Sequence, residues 1–132
     1  MSTFVDTSVL LALLGVDDPH HEDAKVTWHG LIDQDETLVT TNYVLLETLA
    51  LAQQRFGLRA VRTIQDDYAP ILNIEWLDRD SHARAVATLL TANRRNLSPV
   101  DCASFETMRR LGISTAFAID RHFREQGFRV LP

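Results

Sequence analysis

Cysteine is nearly missing from this chain. Cys102 stands alone, which excludes a disulfide within the chain and fits a reducing compartment. Lysine is as scarce: Lys25 is the single lysine beside twelve arginines. Positive charge is in deficit, with 13 Lys and Arg against 18 Asp and Glu and a net charge of -5. That balance lacks the broad basic footprint of a typical nucleic-acid binder. No apolar run has membrane length. Val9–Leu14 falls far short of the ~20 residues a helical span needs, and it follows an acid. No basic segment opens the chain, so no secretory signal is read, and a soluble cytoplasmic protein is expected. Internal repeats, low-complexity tracts and linkers are absent too. The 132 residues therefore read as one domain, 1–132, long enough to bury a core.

What is present is ordinary in bulk and informative in order. Hydrophobic residues make up 45% and charged residues 23%, as in a globular protein. The arginine bias suits phosphate recognition, because the planar guanidinium makes paired hydrogen bonds. Genomic base composition explains it equally well. Residues 3–6 read as a strand that runs into a short apolar helix, Ser8–Leu14, stopped by Gly15. A polar loop over Val16–His21 leads to a helix at Glu22–Gln34, a β-prone run at Thr37–Thr41 and a strong helix at Asn42–Phe56. Leu58–Tyr68 follows as a helix with Leu58, Val61, Ile64, Gln65 and Tyr68 on one side, then a strand at Leu72–Leu77. Asp80–Arg95 is amphipathic, with Ala83, Val86, Ala87 and Leu90 facing inward. Another helix opens at Leu97–Asp101 and ends at Gly112. Strand Thr115–Ile119, a helical turn at His122–Glu125 and strand Phe128–Leu131 complete the order. Alternating strands and helices predict an α/β fold with a mainly parallel sheet of four or five strands.

Four acids stand where such a fold does chemistry. In open α/β sheets ligands bind beyond the carboxyl ends of the strands. Asp6 ends the first strand and Asp120 ends the fourth. Each reads equally as a helix N-cap. Asp101 lies in Ser98-Pro99-Val100-Asp101, which fits a capping box with proline at the first helical position. Glu47 is different, because capping cannot explain an acid in mid-helix. Its neighbours at helical spacing are Tyr43, Leu46, Ala50 and Leu51, and a carboxylate beside a buried face is rarely unpaired. A Glu at the helix border, salt-bridged to an arginine or reaching water, is the bland account, and function is the preferred one. Should the four converge, they could not all stay ionised without a cation. Two carboxylates ~4 Å apart repel by about 4 kcal/mol at an effective dielectric near 20. Hard oxygen donors favour Mg²⁺ or Mn²⁺.

Four segments together resemble the PIN-domain family, specifically the VapC-like toxins of type II toxin–antitoxin pairs. They are Phe4-Val5-Asp6-Thr7-Ser8, Thr41-Asn42-Tyr43-Val44-Leu45-Leu46-Glu47, Ser98-Pro99-Val100-Asp101-Cys102-Ala103 and Ala118-Ile119-Asp120-Arg121-His122-Phe123. They occur in the family's order and extend over nearly the whole chain. The resemblance implies a three-layer α/β/α sandwich and a Mg²⁺- or Mn²⁺-dependent endoribonuclease that leaves a 5′-phosphate and a 3′-hydroxyl. Asp6, Glu47, Asp101 and Asp120 match the family's catalytic, metal-holding acids. Thr7 and Ser8 match the hydroxyl positions after the first acid, with Ser8 orienting Asp6. Asn42 and Ser98 are supporting candidates, and Arg121 is a candidate contact for RNA or antitoxin. The resemblance also implies a homodimer and a cognate antitoxin.

Other residues read more plainly. Arg124 belongs to a solvated face. Arg94-Arg95 and Arg109-Arg110 lie at expected helix C-termini, where cations offset the dipole. His122 is a packing or hydrogen-bonding residue and Phe123 is core. His20-His21 are read as exposed, Trp28 and Trp76 as core or dimer interface, and Cys102 as a small buried hydrophobe. Two readings compete with the nuclease. One is a non-catalytic PIN-like or receiver-like binding module. A receiver needs a lysine late in the fold, and Lys25 is early. The other is a metal-dependent phosphatase on small phosphoesters.

Overall fold

A computed structural model describes Met1–Pro132. Five strands form one sheet: β1 Ser2–Val5, β2 Thr37–Thr41, β3 Asn73–Glu75, β4 Thr115–Phe117 and β5 Arg129–Leu131. Every pairing is parallel and the order is β3-β2-β1-β4-β5. The helices are α1 Thr7–Leu14, α2 His21–Asp33, α3 Asn42–Phe56, α4 Leu58–Thr63, α5 Arg79–Ala92, α6 Pro99–Leu111 and α7 His122–Glu125. No helix is long and apolar enough to cross a membrane.

Strand β1 sits at the centre, with Thr3, Phe4 and Val5 fully buried. A strand covered on both faces buries successive residues instead of alternate ones, and β1 does so, Thr3 included. From β1 the chain winds outward through β2 to β3, then returns to place β4 on the other side of β1. The right-handed crossover rule assigns α1–α4 to one face and α5–α7 to the other, the three-layer α/β/α arrangement. One layer is aromatic. Phe123 packs on Phe4, Phe105 and Phe128, at centroid separations of 6.2, 5.1 and 6.5 Å. Elsewhere Trp28 meets Tyr68 edge-on at 5.5 Å. The strand order reverses between neighbours β1 and β4, so the crevice beyond their carboxyl ends is the switch point where α/β sheets bind ligands.

Several expectations shift. The helix over residues 58–68 is α only to Thr63. A π-helical turn at Ile64–Tyr68 and a 3₁₀ turn at Ala69–Ile71 carry it to β3. Its inward face is Ala60 and Ile64 with Tyr68 partly covered, while Leu58 and Gln65 are exposed. In α5 the buried residues are Ser81 and Ala85, with Leu89 on the same line, so the face bearing Ala83, Ala87 and Leu90 turns to solvent. Both errors have one cause. Small residues such as Ala and Ser give weak periodicity, and the larger apolar side chains marked the wrong stripe. Trp76 is 71% exposed and is not core, whereas Trp28 is. Helix α5 ends at Ala92, capped by left-handed Asn93, so Arg94 and Arg95 lie beyond its last turn and do not serve its dipole.

Candidate active site

Asp6 follows β1 directly and caps α1. It is 5% exposed, and its Oδ2 accepts from the Ser8 backbone N–H at 3.2 Å and the Ser8 hydroxyl at 2.6 Å. The Ser8 hydroxyl in turn accepts from the Ile119 N–H at 3.0 Å, across the β1–β4 seam. Burial pushes the Asp6 carboxyl up to about 6. The Ser8 bonds oppose the rise, and the charges of Asp101 and Asp120 add to it.

Asp101 and Ser98 form the capping box that the sequence predicts. The Ser98 hydroxyl accepts from the Asp101 N–H at 3.0 Å, and the Asp101 carboxylate accepts from the Ser98 N–H at 3.2 Å. Capping does not exclude a second role: a carboxylate has two oxygens and several lone pairs, and one bond leaves most of them free. Burial raises the Asp101 pKa, and nearby Asp120 adds to the rise. Asp120 begins the turn into α7, where its Oδ1 accepts from the His122 N–H at 2.9 Å. Glu47 lies on α3, half-buried, with no ion-pair partner. A salt bridge therefore does not account for it.

All four acids line one open cleft of about 430 Å³ at the carboxyl edge of the sheet, together with Thr7, Ser8 and Ser98. The structure thus brings together residues from positions 6 to 120 of the chain. Not every candidate points at the acids. The Thr7 hydroxyl turns to α3, where it reaches the Val44 carbonyl at 3.4 Å and accepts from the Thr48 hydroxyl at 3.1 Å. Asn42 lies outside the cleft, its Oδ1 accepting from the Leu77 N–H at 2.8 Å. Arg121 is exposed and pairs with Glu125 at 3.4 Å.

Sequence reading missed four residues at this edge. Asp18, His20 and Arg55 also line the cleft. Arg55 stands two turns beyond Glu47 on α3, a spacing that could have drawn attention to it; nothing in the loop sequence marks Asp18 or His20. His21, read as exposed, is half-covered and bonds the Ala12 carbonyl through Nδ1 at 2.8 Å. The fourth is His122, which is buried. Ligand atoms of Asp101, Asp120 and His122 lie within 4.8 Å of one another, a spacing one cation can bridge. Two hard carboxylate oxygens beside one imidazole make a donor set that fits Mg²⁺ or Mn²⁺, and the Asp6 carboxylate lines the same cleft. A bound cation would relieve the mutual repulsion of Asp6, Asp101 and Asp120.

Comparison with known proteins agrees with this geometry. Residues 3–129 match the PIN domain family. The 23S rRNA-specific endonuclease VapC20 of Mycobacterium tuberculosis is 35% identical over 126 residues, which span 95% of this chain and 94% of the relative. The crystal structure of Mycobacterium tuberculosis VapC20, described as a sarcin-ricin loop cleaving toxin, matches with a TM-score of 0.86 at 33% identity, covering 98% of this chain and 99% of that one. FitAcB from Neisseria gonorrhoeae shares the fold, with a TM-score of 0.71 at 15% identity over 100% of this chain and 97% of that one. A match across nearly the whole chain, on the same sheet architecture, places this protein in the PIN-domain family, among its VapC-like members.

Proposed function

We propose that this protein is a metal-dependent endoribonuclease, the toxin of a toxin–antitoxin pair, acting in the cytoplasm on structured RNA. The observation that carries the reading is the convergence of Asp6, Glu47, Asp101 and Asp120 on one cleft at the sheet's switch point. The substrate of the VapC20 relative makes the sarcin-ricin loop of 23S rRNA the first RNA to try. Asp6, Asp101 and Asp120 would hold Mg²⁺ or Mn²⁺, with Glu47 facing them across the cleft and His122 beside Asp120. When bound, the ion supplies Lewis acidity at a phosphoryl oxygen and lowers the pKa of water.

The chain's own residues do the rest. Ser8 fixes the Asp6 carboxylate in one orientation through two donated bonds and ties it to the β4 end through Ile119. Ser98 holds Asp101 through one bond donated to its carboxylate and one accepted from its backbone N–H. Both acids are therefore held ready, and little reorganisation remains when a ligand arrives. Glu47 has no competing partner, so its carboxylate is free to orient water or accept its proton. A homodimer and an antitoxin that covers the cleft complete the proposal.

The test is cleavage of 23S rRNA and total RNA with Mn²⁺ or Mg²⁺ and with EDTA, beside Asp101→Asn and Glu47→Gln. Metal-dependent fragments that vanish in both folded variants support the reading. Cleavage by both variants at the parent's rate removes the acids from the chemistry. No cleavage by well-folded, antitoxin-free protein favours a binding module.

A further inference from the structure

We propose that the groove between the end of α5 and the start of α6 binds the RNA segment next to the scissile linkage, with Arg95 as its phosphate anchor. This inference rests on the nuclease reading above. The groove has a volume of about 580 Å³, and Leu90, Asn93, Arg95, Asn96 and Ser98 are among the residues that line it. Ser98 also lines the acid cleft, so the two depressions meet at the residue that positions Asp101. A polymer held at the acids therefore has a continuous path into the groove.

The charges fit that occupant. The chain is acidic as a whole, and so is the cleft. Yet the groove carries Arg94 and Arg95 and no acid. Arg94 is held by Glu125 at 3.2 Å. Arg95 is exposed, has no ion-pair partner, and lies past the last turn of α5, where a dipole role ends. An unengaged guanidinium beside two asparagine amides is a donor set for a phosphodiester and base edges. Leu90, 72% exposed on the groove wall, offers apolar surface to a base. The volume falls within the ~300–1,000 Å³ of small-ligand sites, which suits a nucleotide or two and not a duplex. Single-stranded or looped RNA is the form in which bases are free to enter.

The test compares three RNAs that the parent cleaves, a short one ending beside the scissile linkage and two extended from it, one on each side. Each is assayed with the parent, Arg95→Ala, Arg95→Glu and, as a control on an exposed arginine of α4, Arg62→Ala. We expect the kcat/KM advantage of one extended RNA to fall about tenfold in Arg95→Ala and further in Arg95→Glu. Binding of the same RNA in EDTA should lose about 0.7 from its log–log salt slope, the value of one single-strand phosphate contact. An advantage unchanged in both Arg95 variants overturns the groove assignment while leaving the nuclease standing. Loss of affinity for a co-expressed antitoxin with that advantage unchanged overturns it in favour of a protein occupant. A parent that neither cuts nor binds any RNA overturns both readings.

Discussion

Replacing Asp6 by Asn should make the metal-free protein more stable, although it removes a central residue of the proposed site. The Asp6 carboxyl titrates near 3.8 when unfolded and at about 6 when folded, with burial as the main cause. Between those values the folded state holds a proton that the unfolded state has lost. Stability therefore falls as pH rises from about 4 to 6, and above 6 the ionised carboxylate costs about 3 kcal/mol, from about two pKa units at 1.36 kcal/mol each. Asparagine keeps the shape, the N-cap and an oxygen for both Ser8 bonds. The stronger Ser8 bonds to the charged carboxylate are already contained in that shift, so the net gain is about 3 kcal/mol, or about 11 °C in Tm for a domain of this size. Thermal unfolding in EDTA at pH 7.5 and pH 4 tests this. The gain should appear at pH 7.5 and vanish at pH 4. Saturating Mn²⁺ should then stabilise the parent, by about 2.7 kcal/mol at a hundredfold excess over Kd, and Asp6→Asn much less. An Asn variant no more stable than the parent at pH 7.5 in EDTA refutes the account, as does a gain that persists at pH 4.

Three further outcomes follow from particular contacts. Ser8→Ala removes the 2.6 Å bond to Asp6 and leaves the Ile119 N–H without its acceptor. It should cost about 1–3 kcal/mol in urea unfolding and move the acidic limb of the pH–activity profile upward. Gly112→Ala puts a side chain at φ +71 with open space around the new Cβ. The cost is then backbone conformation alone, about 1 kcal/mol, with activity unchanged. Trp28 is buried and Trp76 exposed. Trp76→Phe should leave a blue-shifted emission that resists acrylamide, and Trp28→Phe a red-shifted one that does not.

The order of elements was legible because short β-prone runs alternate with longer helical stretches, and because glycine and proline mark several of their ends. Faces were less legible. Ser81 and Ala85 are inside and Leu90 is outside, a choice made by the close approach of α5 to α6 that hydropathy does not record. At the site, Glu47 was readable because no local role explains a mid-helix acid. Asp6, Asp101 and Asp120 were readable only as a set, since each also bonds a backbone N–H at or near the start of a helix. His122 is buried and hydrogen-bonded as read, and its ring also lies near Asp101 and Asp120, a geometry that belongs to a turn and not to a periodic pattern. Asp18, His20 and Arg55 reach the cleft from a loop and a helix end, and tertiary packing alone decides that.

The bond from Ile119 to Ser8 joins residues 111 positions apart. Asp6 is translated early and sits on the central strand, but its surroundings are completed only when β4 docks beside it. Until then the chain carries separate acids and no cleft. Long-range parallel pairing is slow to form, because loop closure precedes the contacts that reward it. Activity is accordingly a late, all-or-none property of the folding chain. Peeling of the β4–β5 edge would abolish it without unfolding the rest, so a ligand that holds that seam open would silence the protein as surely as one that fills the cleft.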